Sequence, residues 1–169
     1  MNAFPHHAET TGRIDAAAAT VFDFLDDQAN LSAHMSKPSA MMMGTTMDIQ
    51  MESDHTRRVG SRFGFTGRVL GVPLLVNEVV TSRDVAKTKT WETTSEPTLW
   101  VIGSYSKGFD LAPHGSQCDL RVQIDYALPK SFFARMLALL FHRAYARWCT
   151  HQMVSDAQTH FAMLVAAGA

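Results

Sequence analysis

Reactive chemistry in this chain falls to a short set of side chains. Glu78, Tyr105 and Tyr126 lie in stretches whose apolar residues alternate, and His142 and His151 lie in a long stretch with helical spacing. Facing an apolar interior, Glu78 would be pushed up in pKa and become a candidate base. Each tyrosine could offer a hydroxyl, and a helix histidine could serve as a general acid-base group. The catalytic candidates are therefore Glu78, Tyr105, Tyr126, His142 and His151. Each also has a plainer role. A buried carboxylate without a partner is costly, which favours an outward Glu78, and a helix histidine is more often a packing or surface group. The strand around Glu78 leaves its register open. Leu74, Val76, Glu78 and Val80 share one face, Leu75, Asn77, Val79 and Thr81 the other, and the two are nearly equally apolar.

Other chemistries lack their residues. His142, His151 and His160 are spaced by nine, which throws alternate ones to opposite helix faces, so they cannot hold one metal; HExxH is absent too. Cys118 and Cys149 stand far apart without a CxxC pair and read as buried thiols of a reducing compartment. Gly60, Gly64, Gly67 and Gly71 are strung along a strand, which fits bends better than a phosphate cradle. No serine sits in a nucleophile-elbow context. Neither metal nor cofactor is expected.

The elements that must position the candidates follow from periodicity. The 169 residues make one domain spanning 1–169, with residues 1–9 as a loose lead-in that holds His6 and His7. A strand over 10–15 leads to Asp15, which can cap a helix over 16–26 with Val21, Phe22 and Leu25 on one side, and a shorter helix follows over 28–35. Alternation then marks strands at 41–51, 61–69, 74–81, 87–94, 99–111 and 118–128. From Ser131 to Leu164 there is no Gly and no Pro, which gives a helix roughly 50 Å long. Its apolar stripe is Phe133, Leu137, Leu140, Phe141, Ala144 and Trp148. Strands joined by short turns make an antiparallel sheet, and its apolar face needs that helix as a cover. The class is α+β: a curved seven-stranded antiparallel sheet gripping a long C-terminal helix, with two short helices after the first strand.

Charge narrows the partners. A net charge of −1 and a charged fraction of 18% argue against a nucleic-acid binder. No basic region followed by an apolar run opens the chain, and Arg135, His142 and Arg143 interrupt the longest apolar stretch. A cytoplasmic protein with no transmembrane segment and no nucleic-acid partner is expected; oligomeric state is open.

The order of elements, with certain local strings, resembles the START-related helix-grip superfamily (SRPBCC) of polyketide cyclase/dehydrase-like and lipid-transfer proteins. The strings are Gly60-Ser61-Arg62-Phe63, Gly103-Ser104-Tyr105, Gly108-Phe109, Asp125-Tyr126-Ala127-Leu128-Pro129 and Arg147-Trp148-Cys149-Thr150-His151-Gln152-Met153. The resemblance covers residues 10–161 and implies a hydrophobic-ligand cavity between sheet and helix, not a set of reacting residues. The lining expected from the inward faces is Met43, Met47, Ile49, Phe63, Phe65, Trp91, Tyr105, Phe109, Tyr126, Phe133, Leu137, Leu140, Phe141 and Trp148. Five methionines between residues 41 and 51 suit a pocket that reshapes around apolar guests. The partner expected is a small hydrophobic ligand such as a lipid, isoprenoid or polyketide-like compound. It would be admitted between the first third of the long helix and the hairpin turns around Gly71-Val72-Pro73, for binding or transport. The alternatives are a cyclase or dehydratase using the same pocket, and a protein-interaction module.

Overall fold

Alternation of apolar residues builds most of this molecule. A computed structural model describes residues 4–32, 47–51, 56–69 and 72–168. Within them the order is β1 (His6–Ile14), α1 (Ala18–Asp26), α2 (Gln28–Leu31), β2 (Met47–Met51), β3 (Arg62–Val69), β4 (Val72–Asp84), β5 (Thr88–Thr93), β6 (Tyr105–His114), β7 (Gln117–Tyr126) and α3 (Phe132–Gly168). The strands form one antiparallel seven-stranded sheet in the order β1-β7-β6-β5-β4-β3-β2. Strands β2 to β7 therefore pair with their chain neighbours, as short turns require, while β1 crosses to the far edge beside β7.

One face of the sheet is dry. Phe63 and Phe65 from β3, Val76 and Val80 from β4, Trp91 from β5, Phe109 from β6, and Leu120, Val122 and Ile124 from β7 are all buried there. The register of β4 is decided by its neighbours. Phe63 pairs with Glu78 and Phe65 with Val76, so Glu78 shares the face of the phenylalanines and is 1% exposed, while Leu75 is 45% exposed. The outward Glu78 favoured by the sequence is thus corrected. A one-residue slip would have turned Val76 and Val80 to solvent.

Several boundaries differ from expectation, and three of the differences have a visible physical reason. β1 begins at His6, so the lead-in is shorter than 1–9, because residues His6 to Glu9 pair with β7. β6 begins at Tyr105, not at residue 99. The segment before it is held by Thr98 N–H on the Leu75 carbonyl at 2.9 Å and Gly103 N–H on the Ala127 carbonyl at 2.8 Å. A Cβ on Gly103 would stand 2.8 Å from the Leu128 carbonyl oxygen, so this close approach needs glycine. Asp15 caps no helix: α1 starts after Ala17 without a side-chain cap, and Asp15 accepts a hydrogen bond from Gln117. The part of the 41–51 strand before Met47, Met43 included, lies outside the described residues.

The long helix turns a different side to the sheet from the one its apolar stripe suggests. Its buried residues are Ala138, His142, Ala146, Cys149, Thr150, Met153, Val154, Ala157 and Phe161. At about 100° per residue this row lies nearly opposite Phe133, Leu137, Leu140, Phe141 and Ala144. Close packing explains the choice. Thr10 and Thr150 share a hydrogen bond of 2.8 Å, and a Cβ on Gly12 would come within 2.5 Å of Val154 Cγ1. Small residues let helix and edge strand touch, and bulky ones on that side would hold them apart. Gly12→Ala is accordingly expected to cost about 1–3 kcal/mol, as overpacking does. Chemical denaturation checks this, and an unchanged midpoint would contradict the packing.

Candidate functional site

Position along the strands brings one ionisable group after another to the same part of the dry face. Glu78 comes from β4, Trp91 from β5, and Tyr105 and Lys107 from β6, while Tyr145 and Cys149 come down from α3. All of these except half-buried Tyr145 are buried. Lys107 Nζ donates to Cys149 Sγ at 3.3 Å and lies 5.2 Å from the centre of the Tyr105 ring. The Tyr105 backbone N–H is fixed by Thr93 Oγ1 at 3.1 Å, which ties β6 to β5 beneath the cluster.

The carboxylate dominates the electrostatics. Burial pushes the pKa of Glu78 up from 4.5 to about 7, even though the charge of Lys107 pulls the other way. The Tyr105 hydroxyl and the Trp91 indole stand near enough to favour the charged form. Neither completes a hydrogen bond of good geometry, and both carboxylate oxygens are buried and unpartnered. Such a group is normally satisfied, so its orphan oxygens mark a place for a ligand donor or a transferable proton. Tyr105 is driven well above its ordinary pKa by burial and then by the Glu78 charge, and Tyr145 rises through burial, Cys149 and Glu78. Both phenols stay protonated and can donate. A carboxyl that titrates near neutrality, two phenol donors and an ammonium can polarise a carbonyl and exchange a proton with its neighbour.

A second cluster lies beside it. Tyr126 is the cross-strand partner of Tyr105, but its hydroxyl bonds His142 Nδ1 at 2.8 Å. The His6 ring lies 4.7 Å from that of His142, tilted by 55°. Burial, then His6 and Arg143, hold the His142 pKa below its ordinary value, so the ring is neutral and suited to that bond. His151 is exposed and touches neither cluster.

Two depressions are of a size to hold a small molecule, and only the second borders a residue of the first cluster. A groove of about 640 Å³ runs between residues 96–100 and the start of α3, walled by Pro97, Leu99, Trp100, Phe133, Ala134 and Leu137. Another of about 340 Å³ borders Glu78, with Met51, Arg62, Phe63, Asn77 and Thr94. Of the lining expected from the sequence, Met47, Phe63, Phe65, Trp91, Tyr105, Phe109 and Tyr126 are buried on the inner face, and Ile49 is half-buried. Leu137 and Trp148 are half-buried, and Phe133 edges the groove although it is 84% exposed. Leu140 and Phe141 face outward, at 76% and 49% exposed, because the opposite side of the helix meets the sheet. Gly71 lies outside the described residues.

Lys107, Tyr145 and the role of Cys149 escaped the sequence reading. The signal for Lys107 was present. It stands between Tyr105 and Phe109 at steps of two, so an inward Tyr105 requires an inward Lys107. Lys89, two residues before Trp91, is buried for the same reason.

No protein-family model and no curated protein matches the sequence. Solved structures do. The chain superposes on an aromatase/cyclase from Streptomyces sp. R1128 with a TM-score of 0.70 at 15% identity, over 95% of each chain. A protein from Thermus thermophilus gives 0.68 at 13% identity, covering 97% of this chain and all of the other. This is the helix-grip fold. A norcoclaurine synthase from Thalictrum flavum shares it at a TM-score of 0.58 and 14% identity, over 89% of this chain and 91% of that one. In this helix-grip sheet the buried cluster sits where strands β4 to β6 face the middle of α3. Among the described residues no helix is long and apolar enough to cross a membrane.

Proposed function

We propose that the protein binds a small, largely apolar molecule in the groove between residues 96–100 and the start of α3. The observation that carries this is the apolar groove of about 640 Å³ at the start of α3, within the range of about 300–1,000 Å³ usual for small-molecule sites. Its walls are Pro97, Leu99, Trp100, Phe133 and Leu137, so affinity comes from buried apolar area at about 25 cal/mol per Å². Lipids, isoprenoids and polyketide-like ring compounds have that character. Support from the fold is general: similar structures include an aromatase/cyclase and a norcoclaurine synthase.

Trp100 reports on the groove. Its fluorescence should change on titration with an apolar ring compound or a long-chain fatty acid. Ala134→Trp fills the groove from a half-buried helix position and should weaken binding by about tenfold or more, the loss of roughly one buried side chain's contribution. Native mass spectrometry of the purified protein should recover a lipid-like guest. If no member of such a panel binds and nothing co-purifies, the reading fails.

A second reading, acid-base catalysis on the bound molecule, is favoured by one specific feature: a buried, unpartnered Glu78 whose pKa lies about 7 beside Tyr105 and Lys107. On it, Glu78 would take a proton from carbon or oxygen of the guest while Tyr105 and Lys107 stabilise the developing oxyanion. Glu78→Gln would then abolish turnover while leaving guest binding nearly unchanged. A variant that lost both together would return Glu78 to a binding role.

A further inference from the structure

From Ala127 to Ser155 the chain carries Lys130, Arg135, Arg143 and Arg147 and no Asp or Glu, in a protein whose formal net charge is −1. Over the same stretch Phe132, Phe133, Met136, Leu139 and Leu140 are between 58% and 84% exposed. The two properties share one side of α3. At about 100° per residue Phe132, Met136, Leu140, Arg143 and Arg147 fall in a single outer column, apolar at its start and basic further along. From Phe132 to Arg147 that column is about 22 Å long.

Exposure here follows from the fold. His6, near the start of β1, lies against His142, so the part of α3 before His142 runs past the strand that covers the rest. Arg143 and Arg147 also wall a polar recess of about 270 Å³ with His6, His7 and Tyr126.

A contiguous apolar patch of this kind marks a docking surface. The chemistry of its edge selects the partner. A second copy of this stretch offers Arg143 and Arg147 no counter-charge, because residues 127–155 hold no carboxylate. An anionic bilayer answers both ends of the column. The acyl boundary accepts side chains to a depth of about 5–10 Å, and lipid phosphates pair with guanidinium groups. We propose that the N-terminal third of α3 docks this protein, slanted and without crossing, on an anionic phospholipid surface. Phe133 belongs both to this face and to the apolar groove, so docking brings the mouth of the groove to the bilayer.

Sedimentation with vesicles tests the proposal on the full chain, without any groove ligand. Mixed phosphatidylcholine–phosphatidylglycerol vesicles should retain the protein at least about tenfold better than phosphatidylcholine alone, because each Arg near an anionic surface adds to affinity. Added salt should weaken that retention. Met136→Glu with Leu140→Glu, and separately Arg143→Glu with Arg147→Glu, should each abolish it while far-UV circular dichroism stays unchanged. All four positions are exposed. Should the first pair misfold, the arginine pair and the salt titration of the unaltered protein decide. No retention, equal retention on neutral vesicles, or retention that survives the arginine reversals would overturn the proposal. So would a dimer in size-exclusion chromatography that the Met136 and Leu140 changes dissociate while vesicle binding persists.

Discussion

Glu78→Gln is expected to make the protein more stable at pH 8 and to flatten its stability between about pH 4.5 and 7. The sign follows from proton counts. The folded carboxyl holds its proton up to about pH 7, whereas the unfolded one loses it near 4.5. Across that window the folded state binds more protons, so stability falls as pH rises. Once the pH exceeds both values the cost is constant, at roughly 3 kcal/mol for a separation of this size. Glutamine keeps the shape and removes the charge. The gain is reduced because buried Lys107 loses its counter-charge, which leaves about 2 kcal/mol, or a melting temperature higher by about 4–8 °C. Urea titrations of both proteins at several pH values measure it. An unchanged slope in the variant would mean that Glu78 reaches solvent or is paired when folded.

The opposite outcome is expected at Asp26. This carboxylate at the end of α1 is 3% exposed and accepts from Arg83 Nη2 at 2.7 Å and Nε at 3.0 Å. The Lys89 ammonium, wholly buried, lies 3.2 Å from its Oδ1 and 3.2 Å from Thr56 Oγ1. Burial alone would raise the Asp26 pKa, but the Arg83 hydrogen bonds and the Lys89 charge outweigh it and hold the group below its ordinary value. Its contribution is therefore present at neutral pH and lost as pH falls through the depressed folded value. Asp26→Ala takes the carboxylate from buried Lys89 and from Arg83, which should cost about 3–5 kcal/mol and lower the melting temperature by about 10 °C. Combining it with Lys89→Met should recover much of that loss. A single variant within about 1 kcal/mol of the parent would show that the Asp26 backbone carbonyl, which Lys89 Nζ also reaches at 2.5 Å, Thr56 or water already satisfies Lys89.

Both sites show how far one-dimensional pattern carries. Cross-strand alternation made Phe63, Phe65, Phe109, Leu120, Val122 and Ile124 legible as an inner face, because the side-chain period of a strand does not depend on its partners. The same rule, applied to polar residues, would have turned Lys89 and Lys107 inward with Trp91 and Tyr105. They were missed because a buried lysine is improbable until its carboxylate or thiol partner is known.

What the chain order and periodicity determined here was the architecture: the count and sequence of strands, two short helices, and a long helix to close one face. Which side of that helix closes it could not be read from hydrophobicity, because α3 is apolar nearly all round its first third. Contact with Thr10 and Gly12 decided it, since small residues allow two backbones to approach and large ones do not. The facing of Glu78 was likewise a tertiary decision. Its strand was balanced between registers, and pairing with Phe63 and Phe65 broke the tie, committing a carboxylate to an interior that raises its pKa to about 7.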